Sequence, residues 1–355
     1  LLATGMAQRL YPESNPAYLF NLAGCPADCG SGHAMALRAG ARLVNIDMPH
    51  DHAGPRYCQR GGKGTWIGIS CDINGVPVTP YVGKPSRELG DVTADVWPGV
   101  YREKMLNGTG PVYMNCTQLS EEDHEYMREA FKCEGIDSIY DYLDQHNIDL
   151  RKNMIEFGTY NYCLNSRGID ISEKAESSLP GLYAAGDITG NVRGNLTGAA
   201  VFGMIAGEAA AEYVKTVPEY DISCHPLIFS REALYKSMLE REEGAHWKEA
   251  NSMLQMLMND YIGTMRPRSA NLFKAGIKYI RDLRRYALAE LKAENSHELM
   301  RCLEVLDLID LGEAVAVSGE FRKESRGLHK RIDYPYTDIT LNNKFLTVVR
   351  DSDGK

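Results

Sequence analysis

Apolar positions along this chain recur with changing period, and the changes divide it into unlike stretches. The opening run Leu1, Leu2, Ala3, ended by Gly5, predicts a strand entering a turn. Residues 30–47 predict a helix over 32–39, a glycine stop at Gly40 and then a strand, which together make an αβ unit. From Met48 to about Glu156 the glycines and prolines (Gly61, Gly62, Pro85, Gly108, Gly110, Pro111) separate short β-type runs at 66–73 and 112–115. Helical spacing follows there at 120–133 and 138–146. Residues 157–217 return to the first pattern, with a strand at 181–186, a glycine-rich loop and an alanine-rich helix from about 198 to 214. Beyond Pro226 the spacing is helical at 230–242, 248–260, 269–294 and 296–318, as in a bundle. The tail is irregular until a strand-like run at 344–349.

Like patterns flanking an unlike one predict a discontinuous α/β domain made of 1–47 and 157–220. Residues 48–156 would be an α+β insert, 221–328 a helical bundle and 329–355 a C-terminal tail. At 355 residues with 44% hydrophobic and 25% charged content, the chain is long enough for more than one core. Its net charge of −9 argues against a nucleic-acid surface, which needs clustered, unneutralised Lys and Arg. No apolar run approaches the roughly 18 residues of a membrane span. Nine scattered cysteines fit a reducing compartment, with cytoplasm the expectation. Cys25 and Cys29 read as half a metal site or, more simply, as small semi-buried thiols, and no metal is expected.

The most informative stretch runs from Leu179 to Gly207. It predicts a strand carrying Asp187 at its C-terminal end, a loop through Gly190 and Gly194, and a helix of small residues. Such an aspartate can accept from the hydroxyls of a ribityl or ribose chain, while free N–H groups at the helix start stabilise negative charge on a reduced ring. An ordinary strand–turn–helix of an α/β domain is the plainer reading of the same pattern.

This segment resembles the second FAD-binding signature of the fumarate reductase/succinate dehydrogenase flavoproteins. Ala3, Thr4 and Gly5, followed by Arg9, Leu10 and Tyr11, resemble the family's Ala-Thr-Gly-Gly strand turn, with Met6 replacing the second glycine. Glu324, Ser325, Arg326, Gly327 and His329, with Asp333 and Pro335 beyond, resemble the stretch that follows the helical domain. The resemblance implies a Rossmann-like FAD-binding domain with an inserted capping domain, FAD as cofactor and an iron–sulfur electron partner. It places Thr4, Gly5, Gly186, Asp187, Asn195, Thr197, Gly198 and Ala199 against the cofactor. The family's Gly-x-Gly-x-x-Gly unit does not occur in this sequence, since Gly24, Gly30 and Gly32 lack its spacing. The expectation is therefore a chain that starts inside a domain of a longer polypeptide, with pairing to a separate nucleotide-binding piece as the alternative.

The family's substrate-clamping positions fit poorly. Where a donor arginine is expected the insert reads Gly90, Asp91, Val92, Thr93, and the expected hinge histidine is Asn161 or Cys163. Arg193 alone survives in the loop. The insert's Pro55 to Trp66, with two arginines around a glycine-rich run, is similar to the adenylylsulfate reductase α subunit. Arg56 or Arg60 would then form an anion fork, acting with Arg193, and Trp66 a stacking plane. A core Trp66 and two surface arginines are the bland equivalent. His50 and His52 read either as acid/base groups or as solvent-exposed loop residues. Three functions follow: a two-electron flavin oxidoreductase acting on a small anionic substrate, an adenylylsulfate-reductase-like α subunit, or a non-catalytic flavin-holding scaffold.

Overall fold

The computed structural model describes residues 1–12, 25–57, 66–78, 87, 98–192 and 195–351. Of Asp51, His52, Pro98, Gly99, Arg102 and residues 159–162, only the backbone is described. In chain order the elements are α1 (Ser31–Arg38), β1 (Leu43–Val44), β2 (His50–Pro55), β3 (Ile69–Cys71), α2 (Pro98–Leu106) and β4 (Val112–Asn115). Next come α3 (Glu121–Cys133), α4 (Ser138–Gln145), β5 (Ile155–Cys163) and β6 (Gly168–Ile169). The last are α5 (Asn195–Val214), α6 (Pro226–Leu239), α7 (Trp247–Leu257), α8 (Ala270–Glu290), α9 (Ser296–Phe321) and β7 (Thr347–Val348). The chain divides into two compact units, the first made of Leu1–Tyr11, Gly24–His50 and Cys163–Lys355, with Asp51–Tyr162 the body of the second.

In the first unit a three-stranded antiparallel sheet, ordered β6-β1-β7, pairs Leu43 with both Ile169 and Val348. Three distant parts of the chain thus meet on one two-residue strand. The helices around it start where side chains cap them. Ser269 accepts from the amide of Leu272 at the head of α8, and Asn295 from that of Glu298 at the head of α9. Phe273, Ile277, Ile280, Leu283 and Ala287 form the buried stripe of α8. Helix α9 is buried on most sides, from Cys302 to Gly319, and is the spine of this unit. Continuation of α7 into a π turn at Met258–Ile262 seats Met258 and Ile262 in the core.

In the second unit the order is β2-β5-β4-β3, with β4 antiparallel to both β5 and β3, Val112 opposite Phe157 and Ile69 opposite Asn115. Ser120 caps α3, and its first-turn acids Glu121, Glu122 and Asp123 suit the positive end of the helix. Met127 and Phe131 from α3 pack with Trp66, Ile67, Met114, Ile139, Leu143 and Phe157 into one core.

The strand expected at 181–186 does not form. Single bridges from Leu2 to Ala184 and from Glu176 to Tyr183 hold that stretch, because the chain turns at once into a 3-10 turn at Gly186–Ile188. Helix α6 starts at Pro226, earlier than its apolar period suggests, because His225 caps it and proline suits the first helical position. Among the described residues no helix is long and apolar enough to cross a membrane.

Candidate functional site

The first and third segments of the first unit meet side by side. The amide of Leu2 donates to the Tyr183 carbonyl at 2.8 Å, and that of Ala185 donates to the Leu2 carbonyl at 3.0 Å. At the end of this parallel pairing Gly186 adopts φ 81°, a left-handed turn that a side chain would strain. The turn is held by Thr189, whose amide and hydroxyl both donate to the Gly186 carbonyl. It brings Gly186 against α5, where an added Cβ would lie 3.5 Å from that of Ala199.

Asp187 is thereby aimed at the start of α5, and its Oδ1 accepts from the amide of Asn195 at 2.8 Å. The helix begins at Asn195, three residues before its small-residue pattern predicts, because this carboxylate supplies the cap. Asn195, Leu196 and Thr197 are exposed at this helix start, and Gly198 and Ala199 are half-buried behind them. The rest of α5 is apolar and mostly uncovered, with Leu196 88% and Met204 71% exposed. Thr4 lies against α1 where a Cβ on Gly32 would collide with its hydroxyl, and Gly5 lies beside the carboxyl of Asp28. Burial and the charge of Asp187 both raise the Asp28 carboxyl above its ordinary range. Asp28 is the residue that sequence reading missed here; between Cys25 and Cys29 it carries no signal of its own.

A buried ionic cluster lies in the same unit, on the end of β1 and the stretch after α9. Arg322 donates to Asp47 from Nε at 2.7 Å and from a second nitrogen at 3.3 Å. Arg268 donates to the Asp47 carbonyl at 2.8 Å and lies 2.5 Å from His329 Nδ1. Burial would raise the Asp47 carboxyl, but Arg322, His329 and Arg268 hold it below the usual range. Burial and the charge of Arg268 push His329 down to about 3. Glu324, from the motif matched in the sequence, accepts from Arg322 and Arg326. This cluster ties the end of the helical stretch to the segment that follows β1, and nothing in the spacing of Asp47, Arg268 and Arg322 announced it.

Within the second unit Arg56 pairs with Glu156 at 2.9 Å, and its side chain is 42% exposed. Trp66 is core, edge-on to Phe131 and Phe157 with ring centroids 5.0 and 5.1 Å apart, so it presents no open stacking face. Arg60 and Arg193 lie outside the described residues, as do the side chains of Asn161 and His52. Of the expected clamp, Arg56 or Arg60 with Arg193, only Arg56 lies among the described residues. Cys163 is fully buried, and burial pushes the Cys29 thiol up to about 11.

Residues 251–350 match the family described as fumarate reductase flavoprotein C-term. An uncharacterised FAD-dependent oxidoreductase of Methanocaldococcus jannaschii is 26% identical, over 95% of this chain and 60% of that protein. The fumarate reductase (CoM/CoB) of Methanothermobacter marburgensis has one polypeptide that is 25% identical, over 97% and 63% respectively. The chain thus spans 60% and 63% of the length of these two relatives. Among solved structures, adenylylsulfate reductase of Archaeoglobus fulgidus superposes with TM-score 0.80 at 19% identity, over 99% of this chain and 64% of that one. The quinol fumarate reductase flavoprotein of Escherichia coli gives 0.80 at 22%, over 99% and 63%.

Proposed function

We infer that this chain, which belongs to the fumarate reductase/succinate dehydrogenase flavoprotein superfamily, is the FAD-binding and substrate-capping part of a flavin-dependent oxidoreductase. The observation that carries the reading is the corner at which Asp187 caps α5 beside Gly186, with Gly5 and Asp28 near it. That corner suits a flavin. It offers an exposed helix start for negative charge, a carboxylate oxygen for a hydroxyl donor, and glycines where a ring or sugar must approach the backbone. Thr4, Gly5, Gly186, Asp187, Asn195, Thr197, Gly198 and Ala199 would hold FAD there, and FAD would supply two-electron transfer. Asp187 Oδ1 keeps the helix start fixed and leaves Oδ2 for the polyol.

The substrate class we propose is a small anion, with an iron–sulfur protein as electron partner. The substitutions at the family's donor arginine and hinge histidine weigh against fumarate or succinate. A nucleotide sulfate is not favoured either, since Trp66 is enclosed by Phe131 and Phe157.

The test is the visible spectrum of the purified protein, followed by reoxidation of its reduced flavin with fumarate and with adenylylsulfate. Asp187→Ala should lower flavin affinity roughly tenfold to a hundredfold, the worth of one charge-assisted hydrogen bond. Asp187→Asn, which keeps an acceptor for the helix cap, should lose less. Undiminished flavin content in Asp187→Ala would remove the assignment, and bound flavin without turnover of either substrate would favour a scaffold.

A further inference from the structure

The first unit contains a bend at residues 164–168 that the flavin reading leaves unused, although it is fastened to both segments of the flavin corner. Two residues beyond Gly5, Ala7 and Leu164 exchange hydrogen bonds. The Leu164 amide donates to the Ala7 carbonyl at 2.9 Å, and the Ala7 amide donates to the Leu164 carbonyl at 3.1 Å. On the other side the amide of Ser166 donates to the Asp187 carbonyl at 2.9 Å. Ser166 adopts φ 52°, in the left-handed region, and Gly168 lies so close to the Ile188 carbonyl that a side chain would not fit. The bend is thus held in one shape, and Arg167 stands between its two fixed ends.

Carbonyls, not a carboxylate, position the Arg167 guanidinium. Its Nε donates to the Met48 carbonyl at 2.9 Å, and its Nη1 donates to the Ser166 carbonyl at 2.7 Å. Among the described residues it has no ion-pair partner, and both N–H groups of Nη2 are unused. Arg167 is half-buried and Nη2 is not sealed off, so a ligand can reach these donors. Burial lowers the pKa of this guanidinium; Asp47, itself bonded to Arg322, and Cys163 offset that only in part. The result is a partly desolvated positive charge, fixed in orientation and not neutralised, which a small oxyanion would satisfy.

We propose that Arg167 anchors the substrate of this protein, its free N–H groups binding a small oxyanion, carboxylate or sulfur oxyanion, beside the flavin corner. The role rests on the flavin reading above for the reaction that the bound anion undergoes. Pairing decides between Arg167 and the arginine expected from the sequence. Arg56 is committed to Glu156, whereas Arg167 has no acid to give up before it binds a ligand. The two carbonyl bonds fix the guanidinium plane and leave its charge intact, as recognition of a two-oxygen group requires.

The experiment is titration of the purified protein with malonate, sulfate and the neutral malonamide, read by calorimetry and by the visible spectrum of the flavin. Saturable binding of at least one anion is expected, with malonamide at least tenfold weaker, and the tighter anion identifies the oxyanion class. Arg167→Gln should weaken that anion roughly tenfold to a hundredfold with flavin content unchanged. Arg167→Lys, which keeps the charge without the fork, should lose less. With the substrate that reoxidises the flavin, both variants should raise KM more than they lower kcat. Arg42→Gln, at the surface, should bind the anion as wild type does. A protein that holds no flavin would remove the flavin reading, while calorimetry would still decide whether Arg167 binds the anion. Absence of saturable anion binding, malonamide as tight as malonate, unaltered affinity in both Arg167 variants, or loss of flavin in step with loss of the anion would each overturn the proposal.

Discussion

Replacing Asp47 by Asn tests how the first unit is held together just beyond β1. The side chains of Asp47 and Arg322 are 0% and 5% exposed and joined by two hydrogen bonds. The variant keeps the shape of the side chain and removes its charge, leaving Arg322 buried with Glu324 at 3.2 Å as its remaining anion. Stranding one partner of a buried pair costs about 3–5 kcal/mol, and the Glu324 contact puts this case at the lower end. For a unit of this size, roughly 3 kcal/mol lowers Tm by about 6–12 °C. The assay is thermal unfolding of the purified protein, with Arg42→Gln as control. Arg42 pairs with Asp170 at the surface, so its loss should cost under about 1 kcal/mol. The pH profile adds a second check. Because the Asp47 carboxyl is held below its ordinary value, the pair's contribution is present above the unfolded pKa, near 4. It is lost only as pH falls below that, through the folded pKa. The gap between wild type and Asp47→Asn should stay constant from pH 5 to 8 and close under about pH 4. A cost below 1 kcal/mol, or a gap that closes between pH 5 and 7, would refute the reasoning.

Two buried histidines should make the first unit acid-sensitive sooner. His33 and His329 are pushed down to about 4 and about 3, in both cases chiefly by burial, so the unfolded chain takes up protons first as pH falls below about 6.5. Stability should drop by up to about 1.4 kcal/mol per pH unit for each histidine until the folded values are reached, and His33→Gln should reduce that slope in a denaturant titration series. Trp66→Ala should cost the second unit about 3–5 kcal/mol by opening its core, and Trp66→Phe much less. A fully stable alanine variant would mean that Trp66 is not core. Gly168→Ala would place a methyl group against the Ile188 carbonyl and 2.6 Å from the His33 ring. Its unfolding free energy should fall by the upper part of the roughly 1–3 kcal/mol that overpacking costs, and an unchanged value would contradict the close approach.

Local signals were the legible ones. Ser120, Ser269 and Asn295 cap the helices that their spacing predicts, and Gly40 stops α1 with φ 92°. Apolar periods located α3, α8 and α9 to within a few residues, because each stripe buries against a single core. The stretch at 181–186 misled because its apolar run describes burial, while its pairing depends on Leu2, far away in sequence. At the candidate flavin corner Asp187 and the start of α5 could be read from residue order. Asp28 could not, since its importance comes only from lying beside Gly5 and Asp187. Whether Trp66 stacks or packs was undecidable from its neighbours in sequence, because the rings that enclose it come from α3 and β5.

The way the first unit is threaded also sets the order in which the chain can become a protein. Arg9, fully buried, is bonded to Glu304, a partner 295 residues further along. Leu2 pairs with a stretch that follows the whole insert, and β1 takes its outer neighbour β7 from near residue 348. During synthesis the long-range partners of Leu2 and Arg9 therefore become available only after Tyr183 and Glu304, respectively, have left the ribosome. The helices and antiparallel strands of Asp51–Tyr162, which pair with one another, can close long before. Early collapse of the insert and late completion of the first unit should make the nascent first segment a natural client for chaperones. Pulse-labelled ribosome-bound intermediates should show protease resistance appearing in the insert first.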